Sequence, residues 1–322
     1  MRIRFDAALE WQEIWAEGAD EIERILDGSL QDDGSKLLLA RIDRPVLVTD
    51  PYRVSLLPPR RRDLVHAFLG LARRVIEYDG IELDFDQSVF PRVWSPSIDT
   101  LLVCRAVRAL LPSLGTPRAA LEIGCGSGFL SLYLMAALRR AERALEELHV
   151  IDIDPLAVRC AMDALEHRSE ATVVSGSLGR RGDALRVRGR YDVVLMNPPY
   201  IRRPAALASE RVRDNPWEGV ELIREVAERG ATFLSPGGSL ILVVSSLCDE
   251  LVMPWLEAAF RVTELTAMEV PLKVYAVTSE LTAKSRAWME FLASVEGLRR
   301  YDPPRDGYDV WQQLRVLRCE LR

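Results

Sequence analysis

The chain has 322 residues, of which 48% are hydrophobic and 28% charged, values typical of a soluble globular protein with a large core. Because 48 Asp and Glu outweigh 42 Lys and Arg, the net charge of −6 excludes a global basic field that would draw the chain onto nucleic acid. The N-terminus lacks the apolar run of a secretory signal, and the five cysteines form no C-x-x-C pair. We therefore predict a reduced, cytoplasmic protein without a membrane span.

Residues 1–90 predict a small region of helix and hairpin that is a candidate for substrate recognition. Apolar residues at roughly helical spacing predict a helix over residues 7–26. Two short apolar runs, 37–42 and 45–49, predict a hairpin, and a second helix is expected over residues 64–77.

Residues 91–322 change character, because short apolar runs begin to alternate with helical patterns. Such alternation predicts a parallel, doubly wound α/β sheet. The predicted strands are 119–123, 149–153, 171–175, 191–196 and 239–244, and the predicted helices are 129–147, 156–165 and 219–229. Two later strands, 261–268 and 312–321, are expected to join the edge antiparallel, with a helical insertion near 281–298 between them.

A glycine cluster, Gly124-Cys125-Gly126-Ser127-Gly128, lies directly between a predicted strand and a predicted helix. In a doubly wound sheet, ligands bind at this position, where glycines let the backbone approach a ligand closely. The third glycine of a dinucleotide fingerprint is absent, since Phe129 occupies its position. The loop therefore predicts a ligand site other than a nicotinamide or flavin site.

The next strand ends in acid, in the stretch Asp152-Ile153-Asp154-Pro155. An acidic residue at the end of the second strand can accept hydrogen bonds from both ribose hydroxyls of an adenosine ligand, and we assign this role to Asp152. Asp154 is expected to cap the following helix, because Pro155 suits the first helical position. With no phosphate-binding loop in the chain, adenosine without phosphate points to S-adenosylmethionine.

The tetrapeptide Asn197-Pro198-Pro199-Tyr200 follows the fourth predicted strand, at the same sheet edge as the glycine loop. The Asn197 side-chain oxygen and the Pro198 carbonyl can each accept one N–H of a planar NH2 group. Positive charge grows on that nitrogen during methylation, so two fixed acceptors stabilise the transition state. Pro199 stiffens the segment, and Tyr200 can pack on a planar amide or base.

Together, the stretches 121–128, 152–155 and 197–201 resemble class I S-adenosylmethionine-dependent methyltransferases. More narrowly, they resemble the HemK-type protein glutamine N5-methyltransferases, which modify the Gly-Gly-Gln loop of peptide chain release factors. Two further segments, 95–102 and 217–224, resemble the stretches that precede the core and begin the next helix in that family.

The resemblance implies a Rossmann-like sheet of seven strands with helices on both faces. It implies catalytic roles for the tetrapeptide and cofactor contacts from Thr100, Glu122, Gly124, Cys125, Gly126, Gly128, Asp152, Ile153, Ser177 and Asn197. The chain departs from the family where an acidic residue often follows the third strand to bind the adenine amine. Ser175-Gly176-Ser177 is expected to occupy that position here.

Several acceptors stay open at this point. A protein side-chain amide, as in a release factor, leads, but adenine N6 and guanine N2 present a similar planar NH2 group. Base methylation requires a surface for phosphate, which arginines at 60–62, 180–181 and 202–203 could supply. A small-molecule amine or amide is a further possible acceptor, and a binding scaffold that has lost activity is the remaining alternative. None of the three histidines lies in a metal-binding or nucleophile motif, so no metal is expected.

Overall fold

The chain divides into two compact units, Met1–Leu101 and Leu102–Arg322. The computed structural model describes residues 2–17, 36–43, 59, 62, 73–166, 172–179, 187, 189–202, 219–272, 290–306 and 308–322. The predicted strand at 45–49 lies outside these residues, as do residues 64–72 of the predicted helix at 64–77. The predicted division at residue 90 and the recognition role of the N-terminal region stay predictions.

The first unit is built on a five-stranded sheet in the order β3-β2-β1-β4-β5. Strand β1 pairs parallel with β4, while the other neighbours pair antiparallel. The strands are β1 (Arg2–Phe5), β2 (Trp11–Glu17), β3 (Lys36–Asp43), β4 (Arg73–Tyr78) and β5 (Ile81–Asp86).

Two helices predicted for this unit are wrong where the structure describes them. Residues 11–17 form β2, in which Gln12, Ile14 and Ala16 are buried on one face, so the apolar spacing there follows a strand period of two. Residues 73–77 belong to β4, which turns through Asp79-Gly80 into β5. Both turn residues have positive φ, the geometry of a two-residue hairpin that the Asp-Gly dipeptide favours.

The second unit contains the predicted parallel α/β sheet. Its seven-strand path runs β11-β13-β10-β9-β6-β7-β8, and an additional strand, β12, pairs with β13. Strands β6 to β10 are parallel, and β11 and β13 join antiparallel, as predicted. The strands are β6 (Ala119–Ile123), β7 (Glu147–Asp152), β8 (Val173–Leu178), β9 (Tyr191–Met196), β10 (Leu234–Ser245), β11 (Phe260–Pro271), β12 (Arg299–Arg305) and β13 (Tyr308–Leu321).

The helices at 129–140, 155–166 and 221–233 follow the predicted alternation with changed bounds, whereas those at 98–110 and 249–259 are not among the predicted elements. They are α1 (Ile98–Leu110), α2 (Phe129–Arg140), α3 (Pro155–Glu166), α4 (Glu221–Phe233) and α5 (Asp249–Ala259). Helix α2 ends seven residues before its predicted end, because the chain turns at Ala141-Glu142, where Glu142 has positive φ. In the predicted insertion near 281–298, the described part is helical at residues 290–293 and then turns into β12.

The central strands of the second unit carry its core. Residues 193–196 of β9 and 240–244 of β10 are at most 1% exposed, as expected for parallel strands covered on both faces. Among the described residues, none of the helices combines the length and apolar character that a bilayer span requires.

Candidate active site

The register of the parallel strands brings the predicted site residues of the second unit to one sheet edge. Ile123 at the end of β6 pairs with Ile151 of β7 on one side and with Met196 of β9 on the other. The residues that follow, Gly124 and Asn197, therefore leave the sheet side by side. This is the carboxyl edge, where doubly wound sheets bind their ligands.

The glycine loop is fixed to the end of β7 by its own backbone. The N–H groups of Gly124 and Cys125 donate to the carbonyl oxygen of Ile151 at 2.8 and 3.1 Å, and the Gly128 N–H donates to the Cys125 carbonyl at 2.7 Å. Gly124 has a φ of +71°, and a side chain there would meet nothing within 4 Å. A conformation that favours glycine, next to open space, lets a ligand approach the backbone closely.

Gly128 serves packing rather than access. Its φ is +75°, and a Cβ atom there would lie 2.8 Å from the Cα of Ala161 on α3. The Cys125 side chain is buried, and this burial raises the pKa of its thiol, so the side chain is a packed neutral group. These contacts set the position at which α2 begins.

The carboxylate of Asp152 closes the other side of the loop. One oxygen accepts the N–H of Gly126 at 3.0 Å and the other accepts the N–H of Asp154 at 2.9 Å. Burial raises the pKa of Asp152. Asp154 caps α3, as predicted, because its side chain accepts the Leu156 N–H at 2.9 Å and Pro155 takes the first helical position.

Glu122 lies below the loop and is 2% exposed. Its Oε2 accepts hydrogen bonds from the Ser131 N–H, at 3.0 Å, and from the Ser131 hydroxyl, so it joins β6 to α2. Burial raises the pKa of Glu122 to about 8, although the two bonds from Ser131 act in the opposite direction. No pattern in the sequence points to Ser131 as the partner of Glu122. The role of Glu122 in cofactor binding stays a prediction.

The end of β8 differs from the sequence-based expectation. Strand β8 continues to Leu178, which pairs with Asp152, so Ser175-Gly176-Ser177 lies inside the strand and does not follow it. The two serine hydroxyls each lie 2.7 Å from a ring nitrogen of His149. Ser177 as a cofactor contact stays a prediction.

Two exposed apolar side chains lie at the ends of these neighbouring strands. Ile153, just beyond β7, is 47% exposed, and Leu178, at the end of β8, is 59% exposed. Large apolar side chains in such positions can cover the faces of a planar ring. The sequence pattern does not indicate Leu178 as a site residue, because it predicts a strand that ends at residue 175.

The tetrapeptide follows β9 without a break. The Oδ1 atom of Asn197 is shielded from solvent, Pro198 is buried, and Tyr200 is 7% exposed. Because two successive prolines fix two φ angles, the chain leaves the strand along a restricted path. The segment therefore presents its carbonyl groups in a set geometry beside the glycine loop.

Thr100 belongs to the first unit, in the first turn of α1. Its hydroxyl accepts the Ser97 N–H at 3.4 Å, while its own N–H donates to Asp99 at 2.9 Å. These contacts cap the helix start. A cofactor contact from Thr100 stays a prediction.

The strand order β8-β7-β6-β9-β10-β13-β11, with a glycine loop after the first parallel strand, defines the Rossmann-like fold of class I methyltransferases. The chain belongs to the methyltransferase small domain family, which matches residues 102–276. It is an S-adenosylmethionine-dependent methyltransferase that resembles the HemK type.

Three relatives show the range of this similarity. Methyltransferase HEMK2 of Mus musculus is 31% identical over 162 residues, covering 49% of this chain and 73% of the relative. A release factor glutamine methyltransferase of Deinococcus radiodurans is 28% identical over 176 residues, covering 52% and 58%. A tRNA1(Val) (adenine(37)-N6)-methyltransferase of a Shewanella species is 31% identical over 140 residues, covering 42% and 56%.

Proposed function

We propose that this enzyme methylates a planar NH2 group, and that the acceptor is the side-chain amide of a protein glutamine. The observation that carries the proposal is the register of β6 and β9, which sets the Asn197–Tyr200 segment beside the glycine loop. Relatives named for glutamine methylation support the amide as acceptor.

The residues of the edge fit S-adenosylmethionine. Gly124 offers backbone beside open space, Asp152 offers a carboxylate at the strand end, and Ile153 and Leu178 offer apolar cover for an adenine ring. When bound, the cofactor supplies an electrophilic methyl group. The same Asp152 carboxylate ties down the loop, so it both shapes the site and accepts the ribose hydroxyls.

The chain's part in the chemistry is orientation. The side-chain oxygen of Asn197 and the carbonyl oxygen of Pro198 each accept one N–H of the acceptor, which fixes the plane of its nitrogen. As methylation begins, positive charge grows on that nitrogen, and acceptors that are already in place stabilise it without reorganising. Tyr200 packs beside the planar group and excludes water.

A second candidate acceptor is the exocyclic amine of a nucleic-acid base, favoured by the tRNA adenine-N6 relative. Such an acceptor requires cationic groups for phosphate near the site. Arg202 lies two residues beyond Tyr200, but its guanidinium is 3.3 Å from the Glu250 carboxylate, which offsets its charge. With a net charge of −6, the chain favours the protein acceptor.

The test is transfer of tritiated methyl groups from S-adenosylmethionine. Purified release factor is compared with a variant in which the glutamine of its Gly-Gly-Gln loop is alanine, alongside total tRNA, ribosomal RNA and a small-molecule extract. We expect label in the release factor and none in its variant. If label appears only in RNA, the acceptor is a base amine and not a protein amide. If label appears only in small molecules, both macromolecular acceptors are rejected.

A further inference from the structure

A separate apolar cluster lies beyond the tetrapeptide, and we call it the edge cluster. It joins the segment after β9 to the end of β10, the end of β11, the described part of the insertion and the start of β13. Its buried members are Leu247, Leu272, Leu292 and Val310, and the partly buried members packed against them are Ile201, Phe291 and Leu298.

Ile201 connects this cluster to the site, because it directly follows Tyr200 in the chain. Its cluster partners Phe291, Leu292 and Val310 come about 90 or more residues later and lie outside the family match at 102–276. The support for the end of the tetrapeptide therefore comes in part from residues that the family match does not cover, together with Leu247 and Leu272 inside it.

Arg202, the next residue, is held from two sides. Its guanidinium lies 3.3 Å from the Glu250 carboxylate at the start of α5 and 5.6 Å from the ring centroid of Phe291. A guanidinium over an aromatic face at this distance is a favourable cation–π contact. Phe291 thus supports two consecutive residues after the tetrapeptide, Ile201 through the cluster and Arg202 through its ring.

The insertion is itself fixed to the carboxyl edge. The Ser246 hydroxyl, just after β10, donates to the Gly297 carbonyl at 2.8 Å and accepts the Gln313 N–H at 3.0 Å. Gly297 has a φ of +91°, and a Cβ atom there would lie 2.2 Å from the Ser246 carbonyl oxygen, so a glycine is required for this approach. The support behind Ile201 is therefore a packed part of the second unit.

We propose that residues 290–306, together with Val310, position the acceptor-binding segment Asn197–Tyr200, with Phe291 as the positioning residue. This inference rests on the proposed function of that segment. Phe291 acts through Ile201 and Arg202 and does not itself touch the reacting atoms. Because methyl transfer depends on a fixed acceptor geometry, a small displacement of the segment lowers turnover more than it lowers binding.

The test uses Phe291→Ala in the full chain, with three measurements. Hydrogen exchange is followed in the peptide spanning residues 196–202, affinity for S-adenosylhomocysteine is measured by calorimetry, and kcat and KM are measured with the acceptor that the labelling experiment identifies. We expect faster exchange in that peptide, an unchanged cofactor affinity, and a kcat reduced about tenfold with little change in KM.

Two further variants separate positioning from general damage. Phe291→Leu keeps the apolar contact with the edge cluster and is expected to recover most of the kcat. Phe260 is the first residue of β11, toward the opposite edge of the sheet, and its buried ring packs against Gly230. Phe260→Ala removes this ring. We expect it to lower stability without specific loss of protection in the 196–202 peptide.

The outcomes keep the two hypotheses apart. Unchanged exchange at 196–202 in Phe291→Ala, or faster exchange with unchanged kcat, would overturn the positioning role while leaving the methyltransferase reaction intact. If the parent chain labels no acceptor, the proposed function fails by itself, and the exchange measurement then decides whether Phe291 holds the segment.

Discussion

The two halves of the carboxyl edge are held by different forces. The half proposed to bind the cofactor, at the ends of β6, β7 and β8, is fixed by backbone hydrogen bonds to Ile151 and by the Asp152 carboxylate. The half proposed to bind the acceptor, at the ends of β9 and β10, is held mainly by side-chain packing, because Ile201 packs against the edge cluster and Arg202 contacts Glu250 and Phe291.

The contacts that hold the cofactor half are local in sequence, whereas those that hold the acceptor half are long-range. The contacts of the cofactor half join residues 124–128 to residues 151–154, within one strand–helix–strand unit. The acceptor half depends on side chains much further along the chain, from Leu247 to Val310.

The largest expected effect is on the acceptor half, with Asn197→Ala. Removing one of two fixed acceptors for the growing positive charge is expected to lower kcat about 10²- to 10³-fold, by analogy with deletion of one oxyanion-hole contact. Cofactor affinity measured by calorimetry serves as the control and should change little. Asn197→Asp keeps side-chain oxygens and should retain more activity than alanine, so equal turnover in the parent and Asn197→Ala would refute the catalytic role.

The next effect concerns the packing of the cofactor half, with Gly128→Ala. The alanine would have to adopt a positive φ, and its Cβ would lie 2.8 Å from the Ala161 backbone. We expect the two effects together to lower the unfolding free energy by about 2–3 kcal/mol, measured by urea denaturation. Gly124→Ala is the matched control, because its φ is also positive but its Cβ meets open space. It should cost about 1–2 kcal/mol, and equal losses would mean that the contact with Ala161 adds nothing.

A smaller effect is expected from Asp152→Ala on cofactor affinity. Losing a charged acceptor for the ribose hydroxyls, together with the bond to Gly126, should weaken S-adenosylhomocysteine binding about tenfold. Asp192→Ala is the control, since Asp192 likewise accepts two backbone N–H groups, from Arg118 and Ala119, but at the opposite edge of the sheet. An equal loss of affinity in both variants would make the effect one of stability.

The same contrast explains what the sequence could predict. The glycine loop, the acidic strand end and the tetrapeptide are short local patterns, and strand alternation places them at one edge. Leu178 was missed because polar residues inside β8, paired with His149, disguised the length of the strand. The support from Phe291 could not be predicted, because it depends on the packing of Phe291 and Ile201 against the same buried cluster and not on any periodic pattern.

In the first unit, the local sequence pattern predicts the wrong secondary structure. Within the described part of 7–26, the helical spacing of the apolar residues is misleading, because Ile14 and Ala16 lie on one face of β2 and both pair with β3. The Asp79-Gly80 dipeptide is a local signal for the hairpin of β4 and β5. The helix predicted over residues 64–77 is inconsistent with that signal.

A pH dependence of stability is expected from Glu122 in the cofactor half. Burial raises the pKa of its carboxyl from 4.5 to about 8 in the folded chain. Below about pH 4.5 the group is protonated in both states, but between 4.5 and 8 only the unfolded state loses the proton. The folded state then binds more protons, so the unfolding free energy falls as pH rises, by at most about 1.4 kcal/mol per pH unit.

Glu122→Gln removes this titration, so the stability of the variant relative to the parent should rise between pH 5 and pH 8 in urea denaturation. Ser131→Ala provides the control, because the Ser131 hydroxyl favours the charged carboxyl and its loss should extend the window to higher pH. A difference between Glu122→Gln and the parent that stays constant with pH would show that the buried carboxyl titrates normally. In that case the hydrogen bonds from Ser131, and not burial, would determine the pKa of Glu122.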